Sequence, residues 1–266
     1  MITSFRNPLV KRIKKLKQKK YRQREGAFFI EGIRVVLSAL ERGAPVEALV
    51  VAPELLTSDV AWEAVAEQRA QGVEVREVSG EVFESFAERD NPVGLGAIVG
   101  VRLRDLASLP AGPEDVFAAL FDVGDPGNLG TIVRTLDGVG AAGLILVGQT
   151  TDPFHPTSVK ASMGALFNVP VAEAETVEAM WRWAEGRGVH TVATSAHARQ
   201  VYWDAAYALP ALLLLGSEGE GLPADVMERA EQTVTIPMVG ASSSLNLAVA
   251  AGLLLYEVRR QIQRNK

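Results

Sequence analysis

Residues 212–223 read LLLLGSEGEGLP, residues 233–246 read TVTIPMVGASSSLN, and residues 247–257 read LAVAAGLLLYE. Four consecutive leucines with no polar alternation predict a strand buried on both faces. Gly216, Gly219 and Gly221 follow, and they let the backbone take positive φ and come close to a ligand. Thr233 to Ile236 predicts a second short strand, which runs into the small-residue loop 239–244. A serine cap there would open a long helix. Two strand-then-loop units side by side place both loops at the carboxyl edge of one sheet, where open α/β folds bind ligands.

Upstream the same rhythm continues. Strands are predicted at 116–122, 144–147, 169–171 and 189–194, with helices at 131–139, 156–163 and 177–185. Alternation of this kind implies a mostly parallel sheet covered by helices. Residues 102–114 (RLRDLASLPAGPE) mix charge, glycine and two prolines, and predict a linker. Ahead of it lies a smaller α/β layer. Its predicted helices are 7–21, 31–42, 59–70 and 79–88, and its strands are 48–52, 73–78 and 96–101. The expected division is therefore 1–101, a linker at 102–114, and 115–266.

The bulk properties exclude several classes. The 266 residues contain no cysteine, so disulfides and thiolate metal sites are ruled out, and the cytosol is the default compartment. His155, His190 and His197 lack metal-ligand spacing, so no metal is expected. No apolar run reaches membrane-spanning length, and no apolar signal region follows the basic start. The net charge is −5, but residues 1–25 carry ten Lys/Arg against one acid, Glu25. The remainder has a net charge of −14. An acidic protein with one concentrated basic end presents a surface for nucleic-acid phosphate, or simply a solvated basic helix.

Residues 122–148 read DVGDPGNLGTIVRTLDGVGAAGLILVG. The phosphate-loop pattern GxxxxGK[ST] is absent. Gly138, Gly140 and Gly143 make a literal GxGxxG, but it follows a helix and precedes a strand, the reverse of the dinucleotide context. Locally, Asn128 and Arg134 are no more than a cap and a surface residue. Their weight comes from company: NLGTIVR, LGSEGEG and IPMVGASSSLN occur in that order. Together they resemble the three signature motifs of the SpoU (TrmH) family of RNA ribose 2′-O-methyltransferases, over about residues 115–262. Residues 4–32, SFRNPLVKRIKKLKQKKYRQREGAFFIEG, are similar to the opening of the ribosomal-protein-like RNA-binding domain found ahead of some members. That domain points to the ribosomal-RNA branch rather than to the single-domain transfer-RNA enzymes.

The resemblance implies a trefoil-knotted α/β domain, which periodicity would never suggest, since chains are ordinarily unknotted. It implies S-adenosylmethionine as cofactor, held by Thr194, Leu215, Gly216, Ile236, Met238 and Leu245. It implies Asn128, Arg134, Glu218, Ser244 and Asn246 as catalytic positions, with Asn128 organising loop and RNA and Glu218 positioning Arg134 or the hydroxyl. Because arginine is a poor proton acceptor, Arg134 is expected to bind phosphate or to stabilise charge growing on the 2′-oxygen. Arg6, Lys11, Arg12, Lys15, Lys19, Lys20, Arg22 and Lys160 are the expected RNA contacts; where this chain has Lys160 the family often has arginine. The apolar last helix and the family's habit imply a homodimer, in which Arg134 completes either its own or the partner's site. Three function classes stay open. The first is a ribosomal-RNA 2′-O-methyltransferase, with a transfer-RNA or a base-methylating relative as variants. The second is a non-catalytic RNA-binding or ribosome-assembly factor of the same fold. The third, a doubly wound nucleotide enzyme, lacks its fingerprints.

Overall fold

The computed structural model describes residues 1–264. In chain order the strands are β1 (Ala27–Glu31), β2 (Val46–Val51), β3 (Glu74–Glu77), β4 (Leu95–Gly100), β5 (Arg104–Asp105), β6 (Val116–Phe121), β7 (Gly143–Val147), β8 (Val171–Ala174), β9 (His190–Thr194), β10 (Gln200–Val201), β11 (Ala211–Leu215) and β12 (Gln232–Thr235). The α-helices are α1 (Pro8–Leu16), α2 (Lys19–Glu25), α3 (Ile33–Glu41), α4 (Asp59–Ala70), α5 (Gly80–Glu84), α6 (Pro126–Val139), α7 (Pro156–Ser162), α8 (Val177–Arg187), α9 (Ala224–Arg229) and α10 (Leu247–Arg264).

The chain divides into two compact units. The first comprises Met1–Arg102 and Asp152–Phe167; the second comprises Leu103–Thr151 and Asn168–Lys266. In the first unit the sheet order is β1-β4-β2-β3, with β4 antiparallel to both of its neighbours and β2 parallel to β3. Helix α1 lays Val10, Ile13 and Leu16 onto this sheet, at the spacing a helix needs to bury one stripe. The single helix expected over 7–21 is two helices, broken at Lys17 and Gln18, and α2 ends at Gly26 with left-handed φ of 61°. The excursion Asp152–Phe167, expected within the second domain, packs here instead. Phe154 and Phe167 both lie against Phe28, with ring centroids 4.7 and 6.4 Å away, and Ser38 Oγ donates to the Gly164 carbonyl at 3.1 Å.

The second unit is built on an eight-stranded sheet, β10-β12-β9-β11-β6-β7-β8-β5, in which every pairing is parallel. The expected mostly parallel α/β fold is what the chain adopts. Central strands β6, β7 and β11 are buried at every position, as their unbroken apolar runs require. The first part of the expected linker joins this sheet. Arg104 and Asp105 pair with β8, and Leu106 and Leu109 enter the core beside Phe117 and Trp183. The sequence reading placed β11 and β12 side by side; instead β9 lies between them. After β12 the chain doubles back, and α10 packs against α6 and β11.

Candidate functional site

Three loops of the second unit meet through side-chain hydrogen bonds. α6 opens with Asp125 as its cap, whose carboxylate accepts from the Asn128 amide N–H at 2.6 Å. Pro126 sits at the first helical position, where its missing N–H costs nothing. The helix therefore starts five residues before the expected Thr131, and Asn128 lies in its first turn. At the other end of the chain, Asn246 rather than a serine caps α10: its Oδ1 accepts from Ala248 N at 2.9 Å and Val249 N at 3.3 Å.

That cap fixes which way each amide faces. With Asn246 Oδ1 occupied by backbone donors, its Nδ2 donates to Asn128 Oδ1 at 2.9 Å. Asn128 Nδ2 in turn donates to Glu218 Oε1 at 2.8 Å. A directional relay Asn246→Asn128→Glu218 ends on a side-chain oxygen that accepts. Glu218 is held in a tight loop. Ser217 and Gly221 exchange backbone hydrogen bonds at 3.2 and 3.1 Å, and the Gly221 and Leu222 backbone fills the space where a Cβ on Gly216 would go. Glycine at 216 thus answers to the loop folding back on itself.

Beside this relay is an open pocket at the carboxyl ends of β9 and β12. Of the expected cofactor residues, Thr194, Ile236, Met238 and Leu245 line it, together with the expected catalytic Ser244. Leu215 and Gly216 do not; they lie one strand over, at the end of β11, tied to the pocket strand by the Thr194 Oγ1 bond to the Leu214 carbonyl at 3.1 Å. The sequence reading passed over Ser195, Ala196, Ser243 and Leu254, which also line it. The two serines were within reach, since each adjoins a residue already singled out.

Arg134 stands apart. Six residues after Asn128, it is ~9 Å further along α6 and turned to another face. It is exposed, and among the described residues its side chain makes neither a hydrogen bond nor an ion pair, so Glu218 does not position it within the protomer.

The expected RNA contacts divide sharply. Arg6, Lys11, Lys15, Lys19, Lys20 and Lys160 are exposed. Arg12 is bound to Glu25 at 2.9 Å and Glu47 at 2.7 Å, which holds the Glu25 carboxyl below its ordinary range. Arg22 is a correction: it is 1% exposed. Its Nε donates to Asp152 Oδ2 at 2.8 Å, and its Nη1 donates to the Leu16 and Lys17 carbonyls at 2.8 and 2.7 Å. It is an internal anchor at the end of α1 and cannot meet phosphate.

Residues 115–256 match the model of the SpoU rRNA Methylase family. The chain belongs to the SpoU rRNA methylase family. Residues 7–97 match an MRM3-like substrate binding domain. A 23S rRNA (uridine(2479)-2′-O)-methyltransferase of Streptomyces viridochromogenes is 34% identical, over 90% of this chain and 85% of that protein. A 23S rRNA (guanosine(2553)-2′-O)-methyltransferase of Bacillus subtilis is 29% identical, over 97% and 98%. Among solved structures, an AdoMet-bound rRNA methyltransferase from Sinorhizobium meliloti superposes with a TM-score of 0.90 at 39% identity, covering 98% of this chain and 97% of that one.

Proposed function

We propose that the protein transfers a methyl group from S-adenosylmethionine to a ribose 2′-hydroxyl of 23S ribosomal RNA. The observation that carries this is the Asn246→Asn128→Glu218 relay joining all three family motifs beside a pocket lined by Thr194, Ile236, Met238 and Leu245. The pocket fits that cofactor chemically. Val234, Ile236, Met238 and Leu254 offer apolar walls, and the Thr194, Ser195, Ser243 and Ser244 hydroxyls offer polar contacts. Ile236, Met238 and Leu245 would hold it, with Gly216 shaping the neighbouring loop. Bound there, S-adenosylmethionine supplies a methyl group already activated by its sulfonium.

The chain's own residues do the rest by positioning. Glu218 Oε1 is committed to Asn128, which leaves Oε2 to accept from the incoming hydroxyl. Arg134 binds phosphate or stabilises charge developing on the 2′-oxygen. Fixing attacking oxygen and methyl carbon in line removes several kcal/mol of barrier.

The division of labour follows the two units: the first binds RNA through its basic start, and the second carries the chemistry. The protein acts as a homodimer in the cytoplasm. Val249, Leu253 and Tyr256 of α10 are 52, 37 and 58% exposed and recur at helical spacing, an apolar face that asks for cover. Tyr256 Oη also comes within 3.2 Å of where a Cβ on Gly138 of α6 would lie, so this face continues onto the helix bearing Arg134. Pairing these faces about a two-fold axis offers Arg134 to the partner's site. Methyl transfer from labelled S-adenosylmethionine to unmodified ribosomal RNA, read by nucleoside mass spectrometry, tests the assignment. A 2′-O-methylated nucleoside is expected. Label in transfer RNA alone would discard the ribosomal substrate, and cofactor binding without transfer to any RNA would favour an assembly factor.

A further inference from the structure

Tyr21 on α2 is half-buried and ringed by cations. Lys15 Nζ lies 5.6 Å, Lys20 Nζ 5.0 Å and the Arg24 guanidinium carbon 4.7 Å from its ring centroid. Nearby in sequence, Phe5 is 50% exposed and has Lys14 Nζ 5.9 Å from its ring. Lys14, Lys15 and Lys20 have no acidic partner among the described residues. Glu25, the one acid in the first 25 residues, is taken by Arg12. The apolar stripe of α1 is already buried, so this surface offers only charge and aromatic faces.

From this juxtaposition we propose that Tyr21 is a stacking platform for an unpaired RNA base, flanked by lysines that take the adjoining phosphates. This rests on the reading of the first unit as the RNA-binding part. In the free protein the cations cover the ring, a contact that is weak where water competes. An arriving base replaces them on the ring, and each displaced ammonium turns to a phosphate oxygen of the same strand. The surface therefore selects single-stranded loops, whose bases can be splayed out, over paired helices.

The test uses the full-length protein and a 12-nucleotide single-stranded RNA with one central 2-aminopurine, whose emission changes on stacking. Wild type is expected to bind it with a change in emission. Tyr21→Leu removes that change and weakens binding roughly 5- to 150-fold, the usual span for one lost stacking contact. Tyr21→Phe keeps both. Lys20→Gln keeps the emission change but makes the salt dependence shallower, by about 0.7 in log–log slope for each phosphate lost. Circular dichroism checks that each variant folds. Wild-type binding with no emission change overturns the inference without recourse to any variant. So does a Tyr21→Leu loss that is equally large on a perfect duplex. Both results leave the RNA-binding reading intact; failure of wild type to bind either strand form overturns that reading as well.

Discussion

Replacing Asp152 by alanine strands the Arg22 guanidinium. That group is almost wholly buried, and Asp152 Oδ2 provides both its Nε hydrogen bond at 2.8 Å and an ion-pair contact to Nη2 at 2.6 Å that is not aligned as a hydrogen bond. Only the Leu16 and Lys17 carbonyls would remain to Nη1. A buried charge that loses its counter-ion costs about 3–5 kcal/mol. Asp152 Oδ1 also accepts from Phe154 N at 2.8 Å, so the upper half of that range is expected. The loss should concentrate in the first unit. Urea unfolding with hydrogen-exchange mass spectrometry reads it, through lost protection in 8–25 and 152–167. In Arg22→Met with Asp152→Ala the two costs should fall short of additive by ~0.5–3 kcal/mol, as for groups in contact. A single-variant loss below ~0.5 kcal/mol would mean the pair behaves as an exposed one, and the anchoring role would be refuted.

Arg134→Ala should lower kcat by at least ~100-fold, as for loss of a group that stabilises developing charge, with cofactor binding by calorimetry unchanged. Asn246→Asp keeps the Oδ1 cap on α10 but has no amide to donate to Asn128, so turnover should fall while the melting temperature holds; Asn246→Ala should lose both, with ~1 kcal/mol of stability. Leu253→Asp with Tyr256→Glu should convert the dimer to a 28.5 kDa species in light scattering; a wild type already of that mass would sink the dimer. Burial, and then the charge of Arg22, holds the His155 imidazole below its ordinary value. The unfolded chain therefore takes up the proton first, so stability should drop as pH falls below about 6.5 and be flat above it. His155 Nδ1 also caps α7 by accepting from Thr157 N at 3.2 Å. His155→Asn preserves a cap without titrating there, and it should show a smaller fall in melting temperature between pH 7.5 and 5.5.

How much of this was legible in the sequence depended on distance along the chain. Buried strands such as β11 announce themselves, because four leucines in a row admit few other readings. The strand order did not: which strand separates β11 from β12 is decided by crossovers that leave no local mark. Arg22 shows the same limit from another side. Within a run of ten basic residues it looks like its neighbours, and only Asp152, 130 positions away, distinguishes it. The relay was half visible, since the motifs named Asn128, Glu218 and Asn246, but nothing in them said that these side chains touch one another rather than Arg134.

The sixteen-residue visit of Asp152–Phe167 to the first unit makes the polypeptide cross between the two units three times. Neither half is a contiguous cassette. A graft that exchanged residues 1–102 for another targeting module would carry off Phe28 and Arg22 and leave Phe154, Phe167 and Asp152 without their partners. A nick anywhere in the 102–114 stretch would still leave 152–167 packed within the first unit and joined by the backbone to the second. Respecificity by domain shuffling, the cheap route for many modular enzymes, is closed to this chain unless the visiting segment is redesigned with the new module.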